Sequence, residues 1–473
     1  MSDRLYRICV AVALAAYFAF LLRNGSFVVG GADSAGYFSE ARLIAQGRLS
    51  LPVEPMQRMQ LDATWTDAFP PGGFRPRGRG LVPTYPIGFP LHIAAASVFG
   101  WDTAPFLLMP LGAVGCLILM MAIAGELGLP RWARAAAAAA LAGLPPFLVN
   151  AIQPMSDVVS LFWCLLAVWL AMRGNRAAGG AFAIAVLVRP TNLLLAPAVF
   201  VAGRRQWWWI ALTALPFGIG LLALQRTLYG DALSTGYGGV GEMLALANFP
   251  LSFPSYAKWL LLLATPLAFP LGPIASRGHR LLVAAWFVPF LAFYSFYGEH
   301  GSWGVLRFLL PAIPPLILGA LLWIVRARLA FVLAAVLVLV PAWQSRRLNV
   351  LATRDAEQIY RNTVRWAEPQ LPRDSLVIAG LLSGAFLYHA KRFTVNWPAV
   401  DAERFQRMRA YAGVSGLRWY AVISDAEMQP DAFLSRYPGR WTAVARYRDI
   451  TLWCLECGPG GVSSMHSKNR RPN

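Results

Sequence analysis

Charged residues are scarce in this 473-residue chain: Asp, Glu, Lys and Arg make up 14%, against 57% hydrophobic residues, and the mean hydropathy is +0.50. No water-soluble globular domain of ordinary composition has that balance. Cysteine is scarce too, and five residues are too few for a disulfide scaffold. Cys9, Cys116 and Cys164 lie in apolar stretches and read as inert packing residues. Cys454 and Cys457 form a lone C-x-x-C with no second pair and no neighbouring histidine, which disfavours zinc and favours a local disulfide in an oxidising compartment. No periodic repeat is evident. A Gly-rich phosphate loop in a strand-to-helix context is also missing, and no cytoplasmic stretch is long enough to hold a nucleotide-binding domain. Both absences argue against nucleotide-driven transport and against a nucleotide-sugar enzyme.

What the chain does have is long apolar runs. A segment of about 17 to 25 apolar residues crosses the hydrocarbon layer, and several stretches between Ile8 and Trp343 qualify. Backbone amides in lipid must bond within the segment, so these runs are helices. The first, Ile8 to Leu22, follows Arg4 and Arg7 but lacks a small-residue cleavage site, and reads as an uncleaved anchor. The formal charge is +19, from 42 Lys+Arg and 23 Asp+Glu, and nearly all the cations are arginine. They gather at helix ends and in extramembrane stretches, where anionic headgroups or phosphate-bearing lipids are nearer partners than nucleic acid. A positive-inside bias accounts for part of them.

Reading apolar runs against their arginine flanks gives roughly eleven hydrophobic segments and then a polar region. The short basic loops with Arg173 and Arg176, Arg204 and Arg205, Arg277 and Arg280, and Arg326 and Arg328 are expected on the cytoplasmic side. That places the N-terminus inside and four regions outside: Arg23 to Pro83, Tyr229 to Ser255, Tyr297 to Trp303, and the C-terminal region. Parity then requires one segment, the short Tyr85 to Phe99, not to span fully. Arg189-Pro190 interrupts Ala178 to Ala202, and such a pair in a bilayer predicts two half-helices meeting at the outer side. The expected organisation is a transmembrane domain over 1–343 with an outer loop over 23–84, a small extracytoplasmic α/β domain over 344–458, and a disordered tail over 459–473. Strands are expected at Leu376 to Ala379, Tyr420 to Ile423, Thr442 to Tyr447 and Ile450 to Cys454.

Candidate chemistry begins at Gly31 to Leu49. Tyr37, Ala41, Ile44 and Ala45 share one helical face and Gly47 closes the run, predicting a short amphipathic helix at the membrane surface with Asp33 at its start. The plainer reading of Asp33 is a helix cap. Farther on, Val82 to Ala96 carries a Pro-rich lead-in to an apolar helix. Here the chain resembles the GT-C superfamily of membrane glycosyltransferases, which includes protein O-mannosyltransferases and aminoarabinose transferases. Asp33 matches the acidic residue after the first helix, and Tyr37, Ala41 and Gly47 match the surface helix. Tyr85, Pro86, Gly88 and Pro90 match the Pro-rich lead-in. Asp157 is similar to the second acidic position and Arg189 to the end of a glycine-led half-helix. The stretches YGDALSTGYGG and HGSWGVLRFLLPAIPPL, with Arg307 opening a helix, resemble later outer-loop features. The match runs from Arg7 to about Trp323 and extends to the small C-terminal domain. One departure is Ser34, where many relatives carry a second adjacent acid.

The resemblance implies an all-α polytopic bundle of about ten to twelve hydrophobic helices with a small α/β extramembrane domain. It also implies inverting transfer of a hexosyl or pentosyl group from a polyprenyl-phosphate sugar donor to a lipid, glycan or protein acceptor, on the outer face of a bacterial inner membrane. The residue types suit that chemistry. An ionised carboxylate, Asp33, takes the acceptor proton, with Asp157 as its catalytic companion. The planar forks of Arg189 and Arg307 suit the departing phosphate. Tyr37, Glu299 and His300 are auxiliary candidates, a solvated loop being the plainer reading of His300. Asp157 also reads as a helix cap, Arg189 as bonding the carbonyls freed by Pro190, Arg307 as a helix-end charge, and His92 as a satisfied packing residue. Arg75, Arg77 and Arg79 read as an attractor for an anionic acceptor or simply as solvated surface. A divalent cation stays open, with Asp33 and Asp157 as its candidate ligands. Two other classes compete: a secondary transporter, whose ionisable groups would gather at the midplane, and a non-catalytic protein that binds lipid-linked glycans.

Overall fold

The apolar runs are helices. A computed structural model describes residues 2–275 and 279–457; Arg277 and the tail expected over 459–473 lie outside the described residues. Among the described residues, four helices are long and apolar enough to cross a membrane: Asp3–Asn24, Ala104–Glu126, Trp207–Tyr229 and Ala330–Arg347. Three bent helix pairs are together as long and apolar, each a broken span or a re-entrant loop: Arg131–Ala142 with Pro145–Ala151 (70°), Leu246–Leu263 with Thr265–Ile274 (112°), and Trp303–Ala312 with Pro314–Ile324 (71°). Among the described residues, five apolar helices are shorter. Together they make a multi-pass helical membrane protein with a small sheet domain. The segment expected not to span, Tyr85 to Phe99, is helical only from Gly88, and Gly88–Ala96 covers about 14 Å at 1.5 Å per residue.

Burial separates lipid-facing helices from core ones. On Asp3–Asn24, Leu5, Ile8 and Val12 are exposed, as are Leu212, Leu215 and Ile219 on Trp207–Tyr229; apolar surface of this kind is solvated by acyl chains. Cys9 is exposed on the first helix, which corrects its reading as a packing residue: a helix with lipid around most of its surface leaves little of itself to pack. Cys116 and Cys164 are buried as expected. The helix Ser156–Met172 packs between Leu108–Glu126 and Ala178–Val188, and the last of these packs against Trp207–Tyr229.

The chain divides into two compact units: Met1–Val28, Glu40–Leu49 and Thr84–Gln358, and separately Val29–Ser39, Ser50–Pro83 and Ile359–Asn473. The second holds both sheets. Strands β1 (Leu51–Pro52), β2 (Phe74–Arg77) and β3 (Gly80–Pro83) form an antiparallel sheet in the order β1-β3-β2. The other sheet uses β4 (Ser375–Ala379), β5 (Thr394–Asn396), β6 (Arg418–Ser424), β7 (Trp441–Tyr447) and β8 (Ile450–Leu455), in the order β5-β4-β6-β8-β7. β4 is parallel to both of its neighbours and buried along its whole length, as its unbroken Leu-Val-Ile run demands of a strand covered on both faces. Cys454 and Cys457 pair as a disulfide at the end of β8.

Candidate functional site

The local chemistry around Arg189 forces a break. Pro190 has no N–H to continue the helix Ala178–Val188, and a residue before proline is driven to extended backbone. Arg189 accordingly sits at φ −145°, ψ 112°, and Pro190–Leu195 continues as 3-10 turns. Asn192 closes the gap: its Nδ2 donates to the Ala185 carbonyl at 2.8 Å and to Ser160 Oγ at 2.7 Å. Ser160 stands three residues after Asp157 on Ser156–Met172, so both point from one face of that helix. Asn192 in turn stands three residues after Arg189. The two positions of one element thus meet the two of the other.

Asp157 and Arg189 make the second of those contacts. Asp157 Oδ1 lies 2.9 Å from Arg189 Nη2, with the carboxylate fully enclosed and the arginine side chain 13% exposed. Although Oδ1 is in ion-pair contact, neither Asp157 oxygen takes an aligned hydrogen bond among the described residues. The carboxylate therefore does not cap its helix, and Coulombic attraction holds the pair. A second terminal nitrogen, Arg189 Nη1, donates to the Arg307 carbonyl at 3.5 Å.

Arg307 lies in the 3-10 segment Trp303–Ala312. Its guanidinium and that of Arg189 approach the same ring, 5.1 and 5.9 Å from the centroid of Phe308. Tyr294 stacks on Phe308 at 5.5 Å and donates from its hydroxyl to Thr191 Oγ1 at 3.0 Å, while Tyr297 meets Phe308 edge-on at 5.8 Å. The result is an aromatic cluster approached by two guanidinium groups, of which that of Arg189 also meets the enclosed Asp157 carboxylate. Guanidinium groups held against aromatic rings are suited to bind a phosphate. Sequence reasoning named Asp157, Arg189 and Arg307 but missed Phe308, Tyr294, Tyr297 and Asn192. A signal existed for Asn192 alone, as a polar residue just after Arg-Pro in an apolar run.

The Pro-rich lead-in abuts this break. A Cβ on Gly88 would stand 2.3 Å from the Val188 nitrogen and 2.4 Å from the Leu187 carbonyl carbon, so only glycine allows the approach. Tyr85 meets Tyr237 of the YGDALSTGYGG stretch at 6.1 Å. His92 is satisfied: Trp163 Nε1 donates to its Nε2 at 2.9 Å, leaving Nδ1 to donate to the Gly88 carbonyl at 2.6 Å. Glu299 and His300 are exposed on a loop, where His300 Nδ1 bonds the Gly298 carbonyl at 2.8 Å. Arg75 and Arg77 are on β2, and Arg79, in the turn after it, donates to the Leu61 carbonyl at 3.1 Å.

Asp33 and Tyr37 belong to the second unit. Asp33 stands in the first turn of the helix Ala32–Ala45, with Gly47 in the left-handed region just after it. The expected one-sided helix is corrected: Ser34 to Ala41 are all buried, the polar Ser34, Ser39 and Glu40 included. Toward its end Arg42 and Ile44 are half-buried and Ala45 is exposed. Burial pushes the Glu40 carboxyl well above its ordinary range. Ser34, at the position of the missing second acid, has a local role: its hydroxyl accepts from the Gly30 N–H at 2.9 Å and donates to the Gly31 carbonyl at 3.1 Å.

Among the described residues no group of three or more His, Cys, Asp or Glu side chains gathers as a metal would need. The neighbour of Asp157 is the Arg189 guanidinium.

The bent and broken apolar helices and the small sheet domain make up a fold that solved membrane proteins share. ArnT from Cupriavidus metallidurans bound to undecaprenyl phosphate matches over 98% of this chain and 99% of its own, with TM-score 0.62 and 14% identity. The oligosaccharyltransferase AglB from Archaeoglobus fulgidus, in complex with an inhibitory peptide and a dolichol-phosphate, matches over 89% of this chain and 70% of its own, at 0.56 and 12%. The arabinofuranosyltransferase AftD from Mycobacteria matches over 97% of this chain and 40% of its own, at 0.54 and 16%. No family model and no curated protein sequence matches.

Proposed function

We propose that the protein is an inverting glycosyltransferase of a bacterial inner membrane that moves a sugar from a polyprenyl-phosphate donor to an extracytoplasmic acceptor. The observation that carries this reading is the convergence of Arg189 and Arg307 on Phe308 beside the enclosed Asp157. The likeness to proteins solved with undecaprenyl phosphate and dolichol-phosphate supports it. Asp33 acts as general base. An acceptor hydroxyl oxygen attacks the anomeric carbon and gives its proton to the Asp33 carboxylate. The bond from that carbon to the phosphate oxygen breaks, and polyprenyl phosphate leaves with the electron pair. Direct displacement inverts the anomeric centre. The charge that grows on the phosphate is met by the forks of Arg189 and Arg307, while Asp157 fixes the Arg189 guanidinium in place.

Two measurements test the reading. In proteoliposomes supplied with a panel of polyprenyl-phosphate sugars, Asp33→Asn is expected to abolish transfer at unchanged insertion and abundance; turnover like that of the wild type removes Asp33 from the mechanism. Undecaprenyl phosphate binding tests the cluster without knowledge of the sugar. Arg307→Gln is expected to weaken it about tenfold, the size of one charge-assisted contact, and unchanged affinity would remove the phosphate role from Arg307.

A further inference from the structure

Asp33 is flanked on both sides by contacts from the C-terminal region. Before it, His389 Nε2 donates to the Val29 carbonyl at 2.7 Å, and Gly31 lies against Tyr360, whose ring a Cβ there would meet at 3.6 Å. Beyond it, a Cβ on Gly384 would stand 2.8 Å from the Cβ of Ala35 and 3.4 Å from the Gly72 carbonyl oxygen. Phe38 meets Tyr388 edge-on at 6.0 Å. From the side, Gly72 presses on Ala32, and its N–H donates to Ser383 Oγ at 3.1 Å. Four of these partners come from one short stretch after β4: Ser383 and Gly384 in Ser383–Ala385, then Tyr388 and His389 in the π-helical turn Phe386–Ala390. Single π-helical turns are rare and recur at functional sites.

We propose that Ser383, Gly384 and His389 are positioning residues that set where the Asp33 carboxylate stands, making the C-terminal α/β domain part of the catalytic device. This inference rests on the reading of Asp33 as the base. A base acts only within hydrogen-bond reach of its proton, and displacement by about 1 Å costs on the order of a hundredfold in rate. A methyl at residue 384 forces a displacement of that kind, because 2.8 Å is too short for two carbons.

The test is steady-state transfer by the full-length protein in proteoliposomes, per monodisperse molecule, for Gly384→Ala, Ser383→Ala, His389→Ala and His389→Gln. For Gly384→Ala and His389→Ala, kcat is expected to fall about 10- to 100-fold while KM for the polyprenyl-phosphate donor stays within about threefold. Ser383→Ala is expected to show a smaller fall of the same kind. His389→Gln keeps an N–H donor and is expected to recover most of the rate, which a general loss of folding would not allow. If Asp33→Asn is inactive while all four variants turn over normally, the inference is overturned and the base reading stands. It is also overturned if their deficit lies in KM, or if His389→Gln is as poor as His389→Ala. An active Asp33→Asn removes the base reading itself and this inference with it.

Discussion

At the scale of the residue, the buried pair Asp157–Arg189 shows what an enclosed charge requires. Removing one partner of such a pair strands the other and typically costs about 3 to 5 kcal/mol, whereas removing both costs far less. Asp157→Asn and Arg189→Gln are each expected to lower the thermal midpoint in detergent, and the double variant by less than the sum of the two. Additive losses would mean that the 2.9 Å contact carries no coupling. Glu427 makes a separate prediction. Its Oε1 accepts from the Leu381 N–H at 2.8 Å and from Trp397 Nε1, and its Oε2 has no partner among the described residues. Burial raises its carboxyl above the ordinary 4.5, partly opposed by those two donors. The folded state therefore holds this proton more tightly than the unfolded chain. The resulting stability is present in full below about pH 4.5 and is lost as pH rises through the raised value. Thermal melts across that window are expected to fall less steeply with pH for Glu427→Gln; parallel curves would refute the assignment. Charges inside apolar runs, Asp157, Arg189 and Arg307, were legible in the sequence because each needs a partner. Phe308 and Tyr294 were not, in a chain that is 13% aromatic.

At the scale of the element, the break at residue 189 has two causes that can be separated. Proline starts it, while Asn192 ties it to Ser160 and to the Ala185 carbonyl. With those bonds and the Asp157 contact still in place, Pro190→Ala is expected to keep most of its undecaprenyl phosphate affinity. Asn192→Ala leaves a buried hydroxyl and carbonyl without their donor, at a cost of about 1 to 3 kcal/mol, and is expected to lose both thermal stability and affinity. The reverse order would make proline the determinant. Such breaks can be read from sequence because Arg-Pro is intolerable in a continuous span. β4, β6, β7 and β8 were legible for the opposite reason, being runs of apolar and β-branched residues. β1, β2, β3 and β5 have two to four residues each, and the first three carry Pro, Arg or Gly; runs this short show no local pattern that announces a strand. The helix carrying Asp33 was placed correctly and its environment misjudged, since periodicity reports the shape of a helix and not what covers it.

At the scale of the whole molecule, segments far apart in sequence share one unit: the stretches 29–39 and 50–83 join the residues from 359 onward. Two ion pairs mark the join, Arg58 with Asp374 at 2.6 Å and the two-pronged Arg404 with Asp67 at 2.7 and 2.9 Å. Arg404 also donates to the Thr64 and Ala399 carbonyls and lies over the Trp65 ring at 5.2 Å. A lone exposed pair contributes little, but this guanidinium bridges the 3-10 segment Ala63–Ala68 and the strand-linking stretch before Ala402–Val414. If the segments form one cooperative unit, breaking the bridge should loosen both sides. Asp67→Arg and Arg404→Asp are each expected to speed amide exchange in β1 to β3 and in β4 to β6 together, and the double reversal to restore part of the protection in both. Loosening confined to the segment that carries the substitution would show two independently stable pieces. In that case the turn bearing Asp33 would owe its order to the first loop alone.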